Sequence, residues 1–156
     1  MREIRLIAFS VVMMLTLSKP AFSQITADKA IGIIDDVSAS TLDPGLPKTP
    51  FLAWLRDLLG PAIKIEWELN DCGTLTGVPT IDNERDLPYC MEASIVLSNQ
   101  HILGIGIFVG TERKGLAASP RVENIYIESD GNVVYFKRLS DLQQALSTPV
   151  KKQVTH

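Results

Sequence analysis

The sequence predicts an α+β domain: two N-terminal helices packed on one face of a roughly five-stranded antiparallel meander sheet, followed by a short C-terminal helix. Three observations carry this reading. Apolar residues recur with a helical period in the stretch ending at Leu59. Beyond Pro61 they recur with a period of two. The alternating stretches are joined largely by links of hairpin length, whereas parallel pairing needs long crossovers.

The chain opens with Arg2 and Arg5, then an apolar run over residues 6–17 (LIAFSVVMMLTL), then small residues at Ala21 and Ser23. That is the pattern of a cleaved secretory signal peptide spanning 1–23. The run is shorter than the about 20 apolar residues of a permanent membrane helix, so no stable anchor is expected after cleavage. Residues 24–146 read as a single α+β domain and 147–156 as a flexible tail. The predicted address is export, to a periplasmic or extracellular space.

The next stretch, 28–37 (DKAIGIIDDV), places Ala30, Ile31, Ile34 and Val37 on one helical face, with Thr26 as a cap. Residues 38–48 contain Asp43-Pro44-Gly45 and Pro47 and are expected to be loop. A second helix follows, with Thr49 as N-cap and Pro50 in its first position. Phe51, Trp54, Leu55, Leu58 and Leu59 share its apolar face, and Gly60-Pro61 stop it.

After that the period is two. Ile63, Ile65, Trp67 and Leu69 alternate with Lys64, Glu66, Glu68 and Asn70, as in a half-buried strand. A turn-rich stretch over 71–88 leads to a strand carrying Met91, Ala93, Ile95 and Leu97. Residues 98–101 turn the chain into a strand over 102–109, and 122–128 make a further one. Asp130-Gly131 predicts a tight hairpin, because both central positions of a type I′ turn need positive φ. Residues 133–137 return, and Ser140 with Gln143 forms a capping box for a helix reaching about residue 146. This element order is similar to that of small exported two-helix-plus-meander modules, such as β-lactamase-inhibitor-like domains and outer-membrane-assembly lipoprotein domains. The likeness is one of element order alone.

Composition bounds the chemistry. The chain has 156 residues, 46% hydrophobic and 21% charged, with a net charge of −3. Loss of residues 1–23 removes Arg2, Arg5 and Lys19 but only one acid, Glu3, so the remainder is more acidic. Such a surface does not suit nucleic acid. Cys72 and Cys90 are the only two cysteines. Their spacing excludes a C-x-x-C redox motif, and neither His101 nor His156 is close in sequence to complete a metal set. A structural disulfide is the expectation in an oxidising compartment.

The enclosed stretch, 73–89 (GTLTGVPTIDNERDLPY), is the most distinctive. Asp82, Glu84, Arg85, Asp86 and Tyr89 form a candidate partner-binding loop, since its ends are tethered and Tyr and Arg are enriched at binding hot spots. The acids lack calcium-loop spacing. The glycines of GIGIFVG, residues 104–110, miss the dinucleotide fingerprint by one residue. Gly104 and Gly106 instead predict close approach of an aromatic side chain or a helix to the sheet, or a bulge.

No cofactor, metal or nucleophile constellation is expected. The sequence therefore points to an exported, non-catalytic binding module for an extracytoplasmic protein, an envelope component or a small ligand. One alternative is a small carboxylate-based hydrolase of a glycan or envelope polymer, since such chemistry needs two carboxylates facing one cleft. Glu66 and Glu68 share a strand face, but alternating exposed acids are also the ordinary way to keep a half-solvated sheet soluble, and no catalytic residue is assigned. The other is a structural or assembly subunit.

Overall fold

The computed structural model describes residues 25–72 and 87–147. The expected signal peptide, the loop residues Asp82, Glu84, Arg85 and Asp86, and the tail beyond Ser147 lie outside the described residues. The elements are α1 (Ala27–Asp36), α2 (Ala39–Leu42), α3 (Phe51–Leu59), β1 (Glu68–Asp71), β2 (Pro88–Val96), β3 (Ile102–Thr111), β4 (Gly115–Ser129), β5 (Asn132–Tyr135) and α4 (Leu139–Ser147). The strands lie in space in their chain order, and every neighbouring pair is antiparallel. The fold is α+β, as the change of period predicts.

Alternation decides which face of the sheet is covered. Met91, Ala93 and Ile95 of β2, Leu103, Ile105, Ile107 and Val109 of β3, and Ile125 of β4 join one apolar cluster. The helices complete it with Ala30, Ile34, Phe51, Trp54, Leu55, Leu139 and Leu142. Thr26 caps α1 as expected, its hydroxyl accepting from the Lys29 N–H at 3.4 Å. Gly60, with φ of 99°, ends α3.

Several boundaries differ from the sequence expectation, each for a tertiary reason. The stretch 38–48 is not all loop, because Ala39–Leu42 closes one helical turn beneath the sheet. α3 begins at Phe51 with Pro50 as its cap, one residue later than expected. Its first amide is satisfied from afar: Phe51 N–H donates to Val37 O and Ala39 N–H to Thr49 O, both at 2.8 Å. Residues 63–67 keep the predicted alternation in burial, but ladder pairing begins only at Glu68. β2 begins at Pro88 rather than Met91, because Cys72 N–H reaches Pro88 O at the mouth of the pair.

The largest difference is β4, which starts at Gly115 instead of Val122. Its first half lacks alternation and contains Pro120, which has no amide hydrogen to give. β5 covers only Tyr126–Ser129, so this half meets β3 alone, through Gly115, Leu116, Arg121 and Val122. Residues 117–120 stand out of the ladder, and Pro120 breaks no pairing. The register slips there, between Phe108 and Gly110. At the other end, Asp130 and Gly131 have φ of 50° and 78°, the predicted type I′ turn.

The Ser140–Gln143 capping box does not form, since α4 starts at Leu139 and Ser140 lies inside it. Its cap comes from Asp43, 97 residues earlier: Oδ2 accepts from Ser140 N–H at 2.8 Å. The other oxygen, Oδ1, accepts from Gly45 N–H at 2.9 Å. Asp43 is only 3% exposed. Burial pushes its carboxyl up, but the amides of Ser140 and Gly45, with the nearby Arg138 charge, outweigh that and hold it below the ordinary value.

Two consequences are measurable. A carboxyl depressed in the folded state stabilises fully above its unfolded value, about 3.9, and that stability is lost as pH falls through the folded value. Asp43→Asn should therefore lower stability at pH 7 by about 1–3 kcal/mol. It should also flatten the loss seen in denaturant melts between neutral and acid pH. In α3, Leu55→Ala should cost about 2–5 kcal/mol, because Leu55 is fully buried. Arg56→Ala, on the exposed side, should stay within about 0.5 kcal/mol in the same melts.

Candidate functional site

With the described helices contributing to one apolar cluster, the opposite face of the sheet is open. Its residues are set by register. Glu68 of β1 stands opposite Glu92 of β2, which stands opposite Gly106 of β3 and then Asn124 of β4. The next row runs Ser94, Gly104, Tyr126 and Tyr135. The two glycines leave the centre of the face without side chains, and their neighbours lean into that space. A Cβ at Gly104 would overlap the Tyr126 ring, and one at Gly106 would overlap the Asn124 amide. The predicted close approach of an aromatic side chain is therefore real. Which residue approached was not readable from β3 itself.

The result is a shallow trough. A hollow of about 90 Å³ lies over Gly104 between Glu92 and Ser94 on one side and Asn124 and Tyr126 on the other. A second, of about 220 Å³, lies among Glu66, Glu68, Asn70, Glu92 and Ser94. The two share Glu92 and Ser94, so they form one depression running from β1 to β4. The far wall is aromatic, with the Tyr126 and Tyr135 rings 5.8 Å apart. Further along β3 and β4, past the Gly106–Asn124 row, the Arg121 guanidinium sits 3.8 Å over the Phe108 ring and pairs with Glu123 at 2.7 Å.

The near wall is acidic. Glu66 is paired with Lys64 at 2.7 Å, both side chains being mostly exposed, so the pair contributes little. Glu92 Oε2 accepts from the Asn70 amide at 3.1 Å. Glu68 has no cationic partner among the described residues, and it faces Glu92 directly. Like charges opposite one another on adjacent strands are unfavourable for folding.

The disulfide is present: Cys72 and Cys90 are bonded, with their Cα atoms 5.2 Å apart. It closes the enclosed loop at the β1–β2 end of the sheet. Of the five candidate loop residues, only Tyr89 is described. It lies in β2 opposite Asp71 and Gly110, half-buried against the core. Burial, then the charges of Asp71 and Glu112, push its phenol up.

His101 Nε2 lies 2.7 Å from Ser129 Oγ, the spacing of a nucleophile and its base. Asn99 decides the tautomer. Its Oδ1 accepts from the His101 amide at 3.2 Å, which turns its NH₂ toward Nδ1 at 3.0 Å. Nδ1 must then accept, so Nε2 carries the proton and donates to Ser129. A base needs the reverse, and this histidine ties the β2–β3 turn to the end of β4. No group of three or more His, Cys, Asp or Glu among the described residues is placed to hold a metal ion.

A larger hollow, about 350 Å³, lies between Gly32 and Ile33 of α1, with Val37 just past its end, and Ala117, Ala118 and Pro120 of β4. Its only ionisable groups are Lys29 and Asp36, both exposed. The open sheet face has the denser set of convergent polar groups. Compared with known proteins, the chain matches no family model, no curated protein and no solved structure.

The trough makes a specific demand on Gly104. Gly104→Ala should destabilise the domain by about 1–3 kcal/mol, because the added methyl must displace the Tyr126 ring. In a Tyr126→Ala background the same change should cost much less, a coupling readable in a double-mutant cycle of thermal melts.

Proposed function

We propose that this chain is an exported binding module that receives a basic, extended segment of an extracytoplasmic partner along the open sheet face. The observation that carries this reading is the Glu68–Glu92 pair. Two carboxylates directly opposite one another, with Glu66 beside them, work against the sheet when it is empty. A cationic partner laid across them would remove that repulsion. The hollow among Glu66, Glu68, Asn70, Glu92 and Ser94 gives its chain a bed, and Tyr126 and Tyr135 supply aromatic contact on the far wall. The acidic balance of the sequence would steer such a partner toward the domain.

Export is supported by the signal-peptide pattern over 1–23 and by the Cys72–Cys90 bond, which suits an oxidising compartment. No described helix is long and apolar enough to cross a membrane.

Capture from the native extracytoplasmic fraction, read by mass spectrometry, tests the proposal. The wild-type domain should retain a basic partner that elutes as salt is raised. The triple variant Glu66→Gln, Glu68→Gln, Glu92→Gln should lose it while melting at the same temperature or higher. Retention by the triple variant would refute the open face as the site. Loss on replacing Asp82, Glu84, Arg85 and Asp86 by Ser would then move the site to the stapled loop.

A further inference from the structure

Edges of a sheet invite unwanted pairing, and proteins blunt them with charge, proline, bulges or shortness. Two of this sheet's edge stretches are plainly blunted. β1 is short and carries Glu68 and Asp71. The uncovered part of β4 contains Pro120, a register slip opposite Phe108–Gly110, and the Arg121–Glu123 ion pair. β5 is as short as β1, at four residues, but carries no charge, proline or bulge in its span. Its sequence is Asn-Val-Val-Tyr, and Val133, Val134 and Tyr135 are 44%, 57% and 72% exposed.

We propose that β5 is the contact strand of a twofold dimer of this chain, pairing antiparallel with β5 of a second copy. The hydrogen-bond parity of the hairpin defines how. Ser129 and Asn132 flank the two-residue turn and close it, so the backbone groups of Asn132 point toward β4. Phe136 N–H also points that way, donating to Ile125 O at 2.9 Å. Val133 and Tyr135, lying between, turn their N–H and C=O groups outward. A twofold axis normal to the sheet must place like faces together, so it passes through a residue of β5 rather than between two.

An axis at Val134 satisfies every requirement at once. Val133 then faces Tyr135 of the second copy, each exchanging both hydrogen bonds, and symmetry repeats the exchange. Val134 meets its own counterpart as the non-hydrogen-bonded pair. The flanking charges agree with that register. Asp130 stands at the turn end of β5 and Lys137 at the other, so antiparallel pairing sets acid against base at both ends, while Arg138 stays with Asp141 at 3.1 Å. The apolar strip and the outward amides are covered together, and the two open faces point to the same side. This inference does not depend on what those faces bind. The seam is small, so the association is weak and concentration-dependent.

Sedimentation equilibrium of the disulfide-intact chain, from micromolar to millimolar concentration, should show a monomer–dimer equilibrium. Val134→Lys should weaken it by more than about tenfold, by placing two like charges in the seam, without changing the melting temperature. Register is tested by cross-linking. Directly opposed Cα atoms in a non-hydrogen-bonded pair are about 4.5 Å apart, within disulfide reach. Val134→Cys should therefore oxidise to a covalent dimer with Cys72–Cys90 intact, while Val133→Cys, facing Tyr135, should not. A chain that stays monomeric throughout would overturn the proposal. So would a dimer indifferent to Val134→Lys, or equal cross-linking at the two positions.

Discussion

The two-sidedness of β3 is the constraint on which the rest of the molecule depends. Leu103, Ile105, Ile107 and Val109 face the helices, while Gly104, Gly106 and Phe108 face away. A one-residue slip against either neighbour would turn four core side chains out and bring two glycines in. β3 therefore holds the register of β2 and β4, and through them the position of every side chain on the open face. The helices follow, because Ile34, Phe51 and Leu55 have only one apolar surface on which to pack.

The same strand creates the candidate site. Glycines in a central strand forgo packing and chain stiffness and allow a close approach to the sheet. Here Tyr126 and Asn124 fill the space and shape the far wall of the trough. The near wall is built from β1 and β2, which the Cys72–Cys90 bond holds together at one end. Glu68 and Glu92 are thus kept opposite each other by a covalent staple and a ladder, against their mutual repulsion. The unblunted β5 edge stands in a similar relation to folding. Both features are unfavourable for an isolated domain.

Asp43 holds the two ends of the domain together. It sits in what the sequence presents as an ordinary Asp-Pro-Gly turn, and it does accept from Gly45 as such turns do. Its second oxygen supplies the start of α4, and burial strengthens the hydrogen bonds that hold its charge. The last helix is thereby capped by the loop between the first helices. The meander between them is closed without a side-chain cap of its own.

Local chemistry was enough to determine the α+β class, the α1 cap at Thr26, the face of α3, the type I′ turn at Asp130-Gly131 and the cysteine pairing, and it narrowed Gly104 to an aromatic ring, a helix or a bulge. Each depends on residues adjacent in sequence, on a period that burial must obey, or, for the cysteines, on the absence of any other thiol. The tertiary structure alone decided the start of β4, the cap on α4, the late onset of ladder pairing in β1 and the opposition of Glu68 to Glu92. Those depend on which residue from a distant segment arrives alongside. Pro120 reads as a strand breaker until β4 is seen to be an edge there, and Ser140 reads as a cap until Asp43 reaches it first. Pairing partners are a property of the folded sheet, and no single strand carries that information.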